Sequence, residues 1–300
     1  MDSFKDGRMI GFADWNMRRE LSILWQECFG DSKRIPDFFL NNIFSPRDCL
    51  VYRVGNELAA AVYLIPAGII CGGKTEQAHY IFAAATATRF RSRGFMSSLL
   101  AYAAITGAER GDCFSAVLPA DDGLYKFYAD AGYEDFFQVR IAEADRASLH
   151  ILASQTGMPG LVLPDFPALN SLRHSCLVRY DGSLMWDDRM FQLSFSMNQV
   201  YGDRLVCASQ NGGLAYALCR KENDICEVLE SFASRGMYPA LVDTLLREVP
   251  TQHYRFRLPA GDKRFVNQGQ TVRFGMLKAL GGSSLTDFAL KNPYLGLSMD

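Results

Sequence analysis

The stretch FRSRGFMSSLL, residues 90–100, sets Arg91 and Arg93 just ahead of Gly94 and then passes into an apolar helical pattern. A helix start leaves backbone N–H groups unpaired and carries partial positive charge, so an anion placed there meets donors already pointing at it. Gly94 removes the Cβ that would hold a bulky oxyanion off the backbone. The two guanidinium groups add charge-assisted hydrogen bonds to phosphate oxygens. Such a turn suits a pyrophosphate.

The surrounding elements must put that turn between a strand and a helix. HYIFAAATA reads as a strand running into the arginines, and Met96, Leu99, Leu100 and Ala103 form one helical face that fades near Gly107. Upstream, Leu21, Leu24, Trp25 and Cys28 fall on one face of a first helix that Gly30 stops, and Ile35, Phe38 and Phe39 mark a second. CLVYRV and ELAAAVYLI flank Gly55-Asn56, a hairpin signal, with a further strand around Gly68 to Cys71. Downstream follow the strand FSAVLP, a turn at Asp121-Asp122, the short helix LYKFYADAG and a last strand, YEDFFQVR.

Three phosphate-binding turns compete for this description. A P-loop needs Gly-Lys-Ser/Thr and a Rossmann turn needs GxGxxG, and neither string occurs. The pattern that remains, Arg-x-x-Gly-x-Gly/Ala between a strand and an apolar helix, resembles the coenzyme A turn of the GNAT superfamily of acyl-CoA-dependent N-acyltransferases, with Arg91, Gly94 and Met96 in its positions. Met96 departs from the small residue the family prefers there. The resemblance covers about residues 15 to 140, and LWQECFGDS and RGFMSSLL are similar to the branch of enhanced-intracellular-survival type acetyltransferases.

That resemblance implies acetyl-CoA as co-substrate, bound by strand backbone at Ala85, Thr86 and Thr88 and by the turn residues Arg91, Ser92, Arg93, Gly94, Phe95, Met96 and Ser97. It implies a tyrosine four residues before a Gly-Phe/Tyr pair as general acid, which is Tyr128 before Gly132-Tyr133, with Tyr125 one turn back as its competitor. No general base stands out. Glu76 and His79 begin the strand leading to the turn, and the survival-type branch uses its own terminal carboxylate, which makes Asp300 at the end of PYLGLSMD a second catalytic candidate.

A second set of residues echoes the first. DRLVCAS (203–209) repeats DCLVYRV (48–54), SRGMY (234–238) repeats SRGFM (92–96), and RLPA (257–260) repeats VLPA (117–120). The step from Gly94 to Leu118 is 24 residues and that from Gly236 to Leu258 is 22, whereas Asp48 to Gly94 spans 46 and Asp203 to Gly236 only 33. Two copies of one α/β unit are expected, the second shortened. Ala233 stands where Arg91 stood, and no tyrosine precedes a Gly-Tyr pair after RLPA, so the second copy is expected to bind no acyl-CoA.

The expected fold is therefore α/β (α+β): two tandem GNAT-like domains, each a mixed, mostly antiparallel sheet flanked by helices. Residues 1–145 form the acetyltransferase domain, 146–175 a Gly- and Pro-punctuated linker, and 176–300 the degenerate domain. The 300 residues are about half apolar and carry a formal charge of −2, which argues against nucleic acid or an anionic membrane as partner. Charges fill the amino terminus, and the longest apolar run, Leu58 to Cys71, is broken by Pro66, so the chain reads as cytoplasmic. Eight cysteines without a CxxC pair and four isolated histidines read as reduced thiols with no metal. The expected partner is a small-molecule or peptide amine, with a homodimer left open. The alternative function is a non-catalytic acyl-CoA-binding regulatory protein.

Overall fold

A computed structural model describes residues 2–4, 7–154, 160–161, 163–262, 264, 269–282, 285–287 and 293–299. The chain forms two compact units, one of residues 1–69, 75–135 and 275–288, the other of residues 70–74, 136–274 and 289–300. The fold is mixed α/β, with two mixed sheets flanked by helices.

The first unit runs β1 (Asp2–Phe4), β2 (Arg8–Phe12), α1 (Arg18–Phe29), α2 (Arg34–Asn42), β3 (Cys49–Val54), β4 (Glu57–Cys71), β5 (Lys74–Thr86), α3 (Phe95–Glu109), β6 (Phe114–Val117), α4 (Asp122–Asp130) and β7 (Glu134–Asp135). The second runs β8 (Gln138–Asp145), α5 (Arg146–Ala153), β9 (Gly160–Leu161), α6 (Phe166–Leu177), β10 (Leu184–Met185), α7 (Asp188–Tyr201), β11 (Arg204–Gln210), β12 (Gly213–Glu222), β13 (Ile225–Ala233), α8 (Tyr238–Glu248), β14 (His253–Pro259) and β15 (Gln270–Arg273). β16 (Met276–Ala279) returns to the first unit. Residues 146–175, read from the sequence as a linker, contain α5 and most of α6.

In the first unit α1 buries Leu21, Leu24 and Trp25 as its periodicity requires, and Gly30 ends it in the left-handed region. Trp25 then anchors an aromatic cluster, with its ring 5.2 Å from Phe39, 5.7 Å from Phe82 and 6.2 Å from Tyr63. The sheet order is β1-β2-β3-β4-β5-β6-β16-β7. β4 continues through Pro66, which is exposed. Proline is tolerated in a strand where its missing N–H costs no ladder bond.

YEDFFQVR is not one strand. Two exposed acids, Glu134 and Asp135, precede the paired aromatics Phe136 and Phe137, which breaks the period-two alternation a half-buried strand needs. The segment divides into β7 of the first sheet and β8 of the second, and β16 takes the place beside β6, Met276 opposite Val117 through Ala279 opposite Phe114.

The second sheet runs β15-β8-β14-β13-β12-β11-β9. Its β11-β12-β13-α8-β14 series has the order of β3-β4-β5-α3-β6, and in each the last two strands are parallel. Leu241, Leu245, Val228, Tyr254 and Phe256 form the core beneath α8. All eight cysteines are free thiols.

Candidate active site

β5 lies parallel to β6 from Ala78 opposite Phe114 to Ile81 opposite Val117, and the register ends there. Ala83 then takes φ of +44°, a left-handed conformation within a strand. For a non-glycine residue it costs about 1–2 kcal/mol and marks a bulge. β6 itself ends at Val117, so the last residues of β5, from Ala83 on, lie beyond the ladder with β6. Ala85 is buried there and Thr86 half-buried.

A 3₁₀ turn, Thr88–Phe90, carries the chain into the arginines. Glu27, near the end of α1, accepts the Thr88 N–H at 2.7 Å, and this bond holds its carboxyl below the usual carboxylate range. The Thr86 carbonyl accepts from Cys28 Sγ at 3.3 Å and from Arg91 Nε at 3.2 Å. Burial pushes the Cys28 thiol up. The base of the turn is thus clamped to α1. Neither Glu27 nor Thr86's partnership with Cys28 had a signal in residue spacing.

The three arginines differ. Arg89 is tied to Glu57 at 2.8 Å, Arg91 folds back on Thr86, and Arg93 lies with its guanidinium 5.5 Å from the Phe90 ring. Ser92 (φ +59°) and Gly94 (φ +76°) both turn the backbone left-handed, an arrangement that gathers successive N–H groups into an anion-binding concavity. Gly94 is the N-cap of α3, which has no side-chain cap, and a Cβ built on it would meet nothing within 4 Å. Helix-start N–H groups of Phe95, Met96 and Ser97 therefore face an open approach.

The Phe95 side chain is buried, stacked on Tyr52 at 4.2 Å and 14°, so it fixes the helix start from below. Met96 is half-buried, and Ser97 is exposed.

On α4, Asp121 caps the helix by accepting the Leu124 N–H at 2.9 Å. Tyr125 is buried and its hydroxyl accepts the Gly275 N–H at 2.9 Å, which commits it to the backbone. Tyr128 is 6% exposed, edge-on to Tyr133 at 5.6 Å, and Tyr133 reaches Ser115 on β6 at 2.6 Å. Burial alone pushes the Tyr128 phenol well above the ordinary tyrosine value. It stays a neutral proton donor through a wide pH range. The turn at the end of β5 and Tyr128 beside β6 thus belong to neighbouring strands.

His79 is 1% exposed, bonds Asp112 at 2.8 Å through Nδ1, and lies against Gly107 near the far end of α3. A fully enclosed imidazole has no path to an incoming amine. Residues 293–299 pack within the second unit, where Asn198 donates to the Ser298 carbonyl at 2.9 Å and Met299 is fully buried. Asp300 lies outside the described residues.

Residues 18–136 match the family model described as an acetyltransferase (GNAT) domain. No curated protein matches the chain. Among solved structures, a GCN5-related N-acetyltransferase from Kribbella flavida superposes with a TM-score of 0.73 at 16% identity, covering 91% of this chain and 71% of its own. A GCN5-related N-acetyltransferase from Anabaena variabilis gives 0.73 at 16%, with 91% and 73% covered. Eis1 from Mycobacterium abscessus gives 0.67 at 12%, with 90% and 73% covered. At such identities the likeness speaks for the fold. Among the described residues no helix is long and apolar enough to cross a membrane.

Proposed function

We propose that the first unit transfers the acetyl group of acetyl-CoA to a primary amine of a small molecule or peptide, with Tyr128 as general acid. One observation carries the reading. The strand β5 runs beyond the end of β6, turns left-handed at Ala83 and leads into a helix start without a side-chain cap, whose glycine leaves the backbone open beside Arg91 and Arg93.

In this reading the diphosphate of the donor rests on the N–H groups of residues 94–97 and on the free ends of Arg91 and Arg93. The backbone from Ala83 to Thr86 takes the pantetheine arm. Holding donor and acceptor in register supplies much of the acceleration. The amine nitrogen attacks the thioester carbonyl carbon, the carbon–sulfur bond breaks, and the departing sulfur takes the Tyr128 proton, a contribution of about 10²–10⁴-fold. The nitrogen gives up its own proton to a base, for which the proposal keeps Asp300. Removal of Asp300 alone tests that role, because truncation into the buried Met299 would damage the core instead.

The two units are read as tandem copies of one ancestral domain, related to the survival-type branch, with the second no longer catalytic. Release of free coenzyme A thiol across a panel of amines, wild type beside Tyr128→Phe, tests the whole. Coenzyme A binding without turnover of any amine, indifferent to the substitution, would favour a regulatory acyl-CoA-binding protein.

A further inference from the structure

We propose that the second unit has a binding site of its own for a small phosphate-bearing molecule, in the cavity between the end of α6 and the turn joining β13 to α8. The cavity measures about 730 Å³, a size typical of small-molecule sites. Arg179, Arg235 and Arg264 line it against a single acid, Asp262.

The charges do not balance. Asp262 is engaged by Arg264 at 2.7 Å. Arg179 lies over the Tyr180 ring at 5.1 Å, and among the described residues neither it nor Arg235 pairs with a carboxylate. Two exposed guanidinium groups facing one cavity repel each other, and a bound dianion converts that repulsion into charge-assisted hydrogen bonds. Ser231, buried on β13 beside the lining residue Phe232, accepts from Arg264 Nη2 on its carbonyl at 3.4 Å.

The backbone suits the same ligand. Ser234 is fixed to Leu214 from both sides, donating its N–H at 2.9 Å and accepting the Leu214 N–H on its hydroxyl at 3.2 Å. Gly236 takes φ of +81°, and a Cβ there would meet nothing within 4 Å. α8 begins at Tyr238 without a side-chain cap; the Met237 N–H is given to the Ser234 carbonyl and Pro239 has none, so the Tyr238 and Ala240 N–H groups are the ones that start the helix.

The same unit excludes a long acyl carrier. Glu230, just ahead of this turn on β13, is fully buried against Arg173 at 3.1 Å and Tyr216 at 2.8 Å. Arg173 also donates to the carbonyls of Leu184 at 2.9 Å and Leu295 at 3.3 Å. The β13–β14 register ends at Val228 and Phe256, and beyond it this network fills the space behind β13 that a pantetheine arm would need. What fits is a phosphate monoester or diphosphate, free or on a short organic body.

Hydrogen–deuterium exchange of the full chain, read peptide by peptide with inorganic pyrophosphate and with ADP in separate arms, tests this. Either probe should slow exchange over residues 232–240; slowing by ADP alone identifies a nucleotide-like ligand, and by pyrophosphate a free phosphate. Arg179→Gln with Arg235→Gln, both exposed, should abolish the slowing by weakening binding about 10- to 100-fold. Acetyl-CoA protection over residues 88–99, which reads the first unit separately, should be unchanged in that variant. Slowing that survives both substitutions, or no slowing over 232–240 with either probe, would overturn the proposal whatever the first unit does.

Discussion

Gly94 and Gly236 make a matched pair for testing the donor site. Their φ values are +76° and +81°, each sits just before a helix, and an added Cβ at either would meet nothing within 4 Å. Alanine at either position therefore causes no clash and carries only the left-handed conformational penalty, about 1–2 kcal/mol. For a unit of this size that is a fall in Tm of about 2–4 °C per kcal/mol, and the two variants should fall alike. Their effects on coenzyme A should diverge. At Gly94 the methyl group projects into the open approach and pushes the diphosphate off the helix-start amides. Losing one hydrogen bond to a charged phosphate is worth about 1.5–3 kcal/mol, or about 10- to 100-fold in Kd. Isothermal titration of coenzyme A into both variants, beside thermal unfolding, separates the two consequences. Equal affinity in Gly94→Ala and wild type, or an equal loss in Gly236→Ala, would refute the placement of the diphosphate.

Tyr128→Phe should lower kcat about 10²-fold or more with KM for acetyl-CoA nearly unchanged, measured by steady-state thiol release. Tyr125→Phe should act on stability instead, because it strips the buried Gly275 N–H of its acceptor, at about 1–3 kcal/mol in urea unfolding. Since burial raises the Tyr128 phenol above its ordinary value of 10.0, the acid form persists as pH rises, and the kcat–pH profile should show no falling limb from this group up to pH 10.0. Arg173→Ala leaves Glu230 buried and unpaired, and should destabilise the second unit by about 3–5 kcal/mol. Limited proteolysis followed by mass spectrometry would show the loss confined to peptides of that unit.

What the sequence revealed was local. The α1 face of Leu21, Leu24 and Trp25, the stop at Gly30 and the strand-to-helix turn at Gly94 each follow from residues within a few positions of one another. What escaped it depends on distant partners. Glu27 and Thr88 are 61 positions apart, His79 and Asp112 are 33 apart, and nothing in either neighbourhood announces the bond. The bond that commits Tyr125 to the backbone comes from the Gly275 N–H, 150 positions away. The insertion of β16 between β6 and β7 is of the same kind, since a short apolar strand such as MLKA carries no mark of which sheet will take it. Ala83 is harder still, because alanine is not a residue that forecasts a left-handed bulge.

The shared string Ser-Arg-Gly therefore decides less than the strand leading to it. In the first unit β5 ends at Thr86, and the chain takes a 3₁₀ turn and the arginine segment before α3 begins at Phe95. In the second, β13 runs on to Ala233, and α8 starts at Tyr238. Extending the strand consumes the residues that would have made the wider turn, and it carries Glu230 where it must be buried. A buried carboxylate needs a cation and further hydrogen bonds to be tolerated, and Arg173 with Tyr216 provides them. That network fills the interior beside β13, while Arg235 ahead of α8 stays exposed. Under the proposed tandem reading, a filled interior and a retained anion-facing turn in the second unit both follow from one change in strand length.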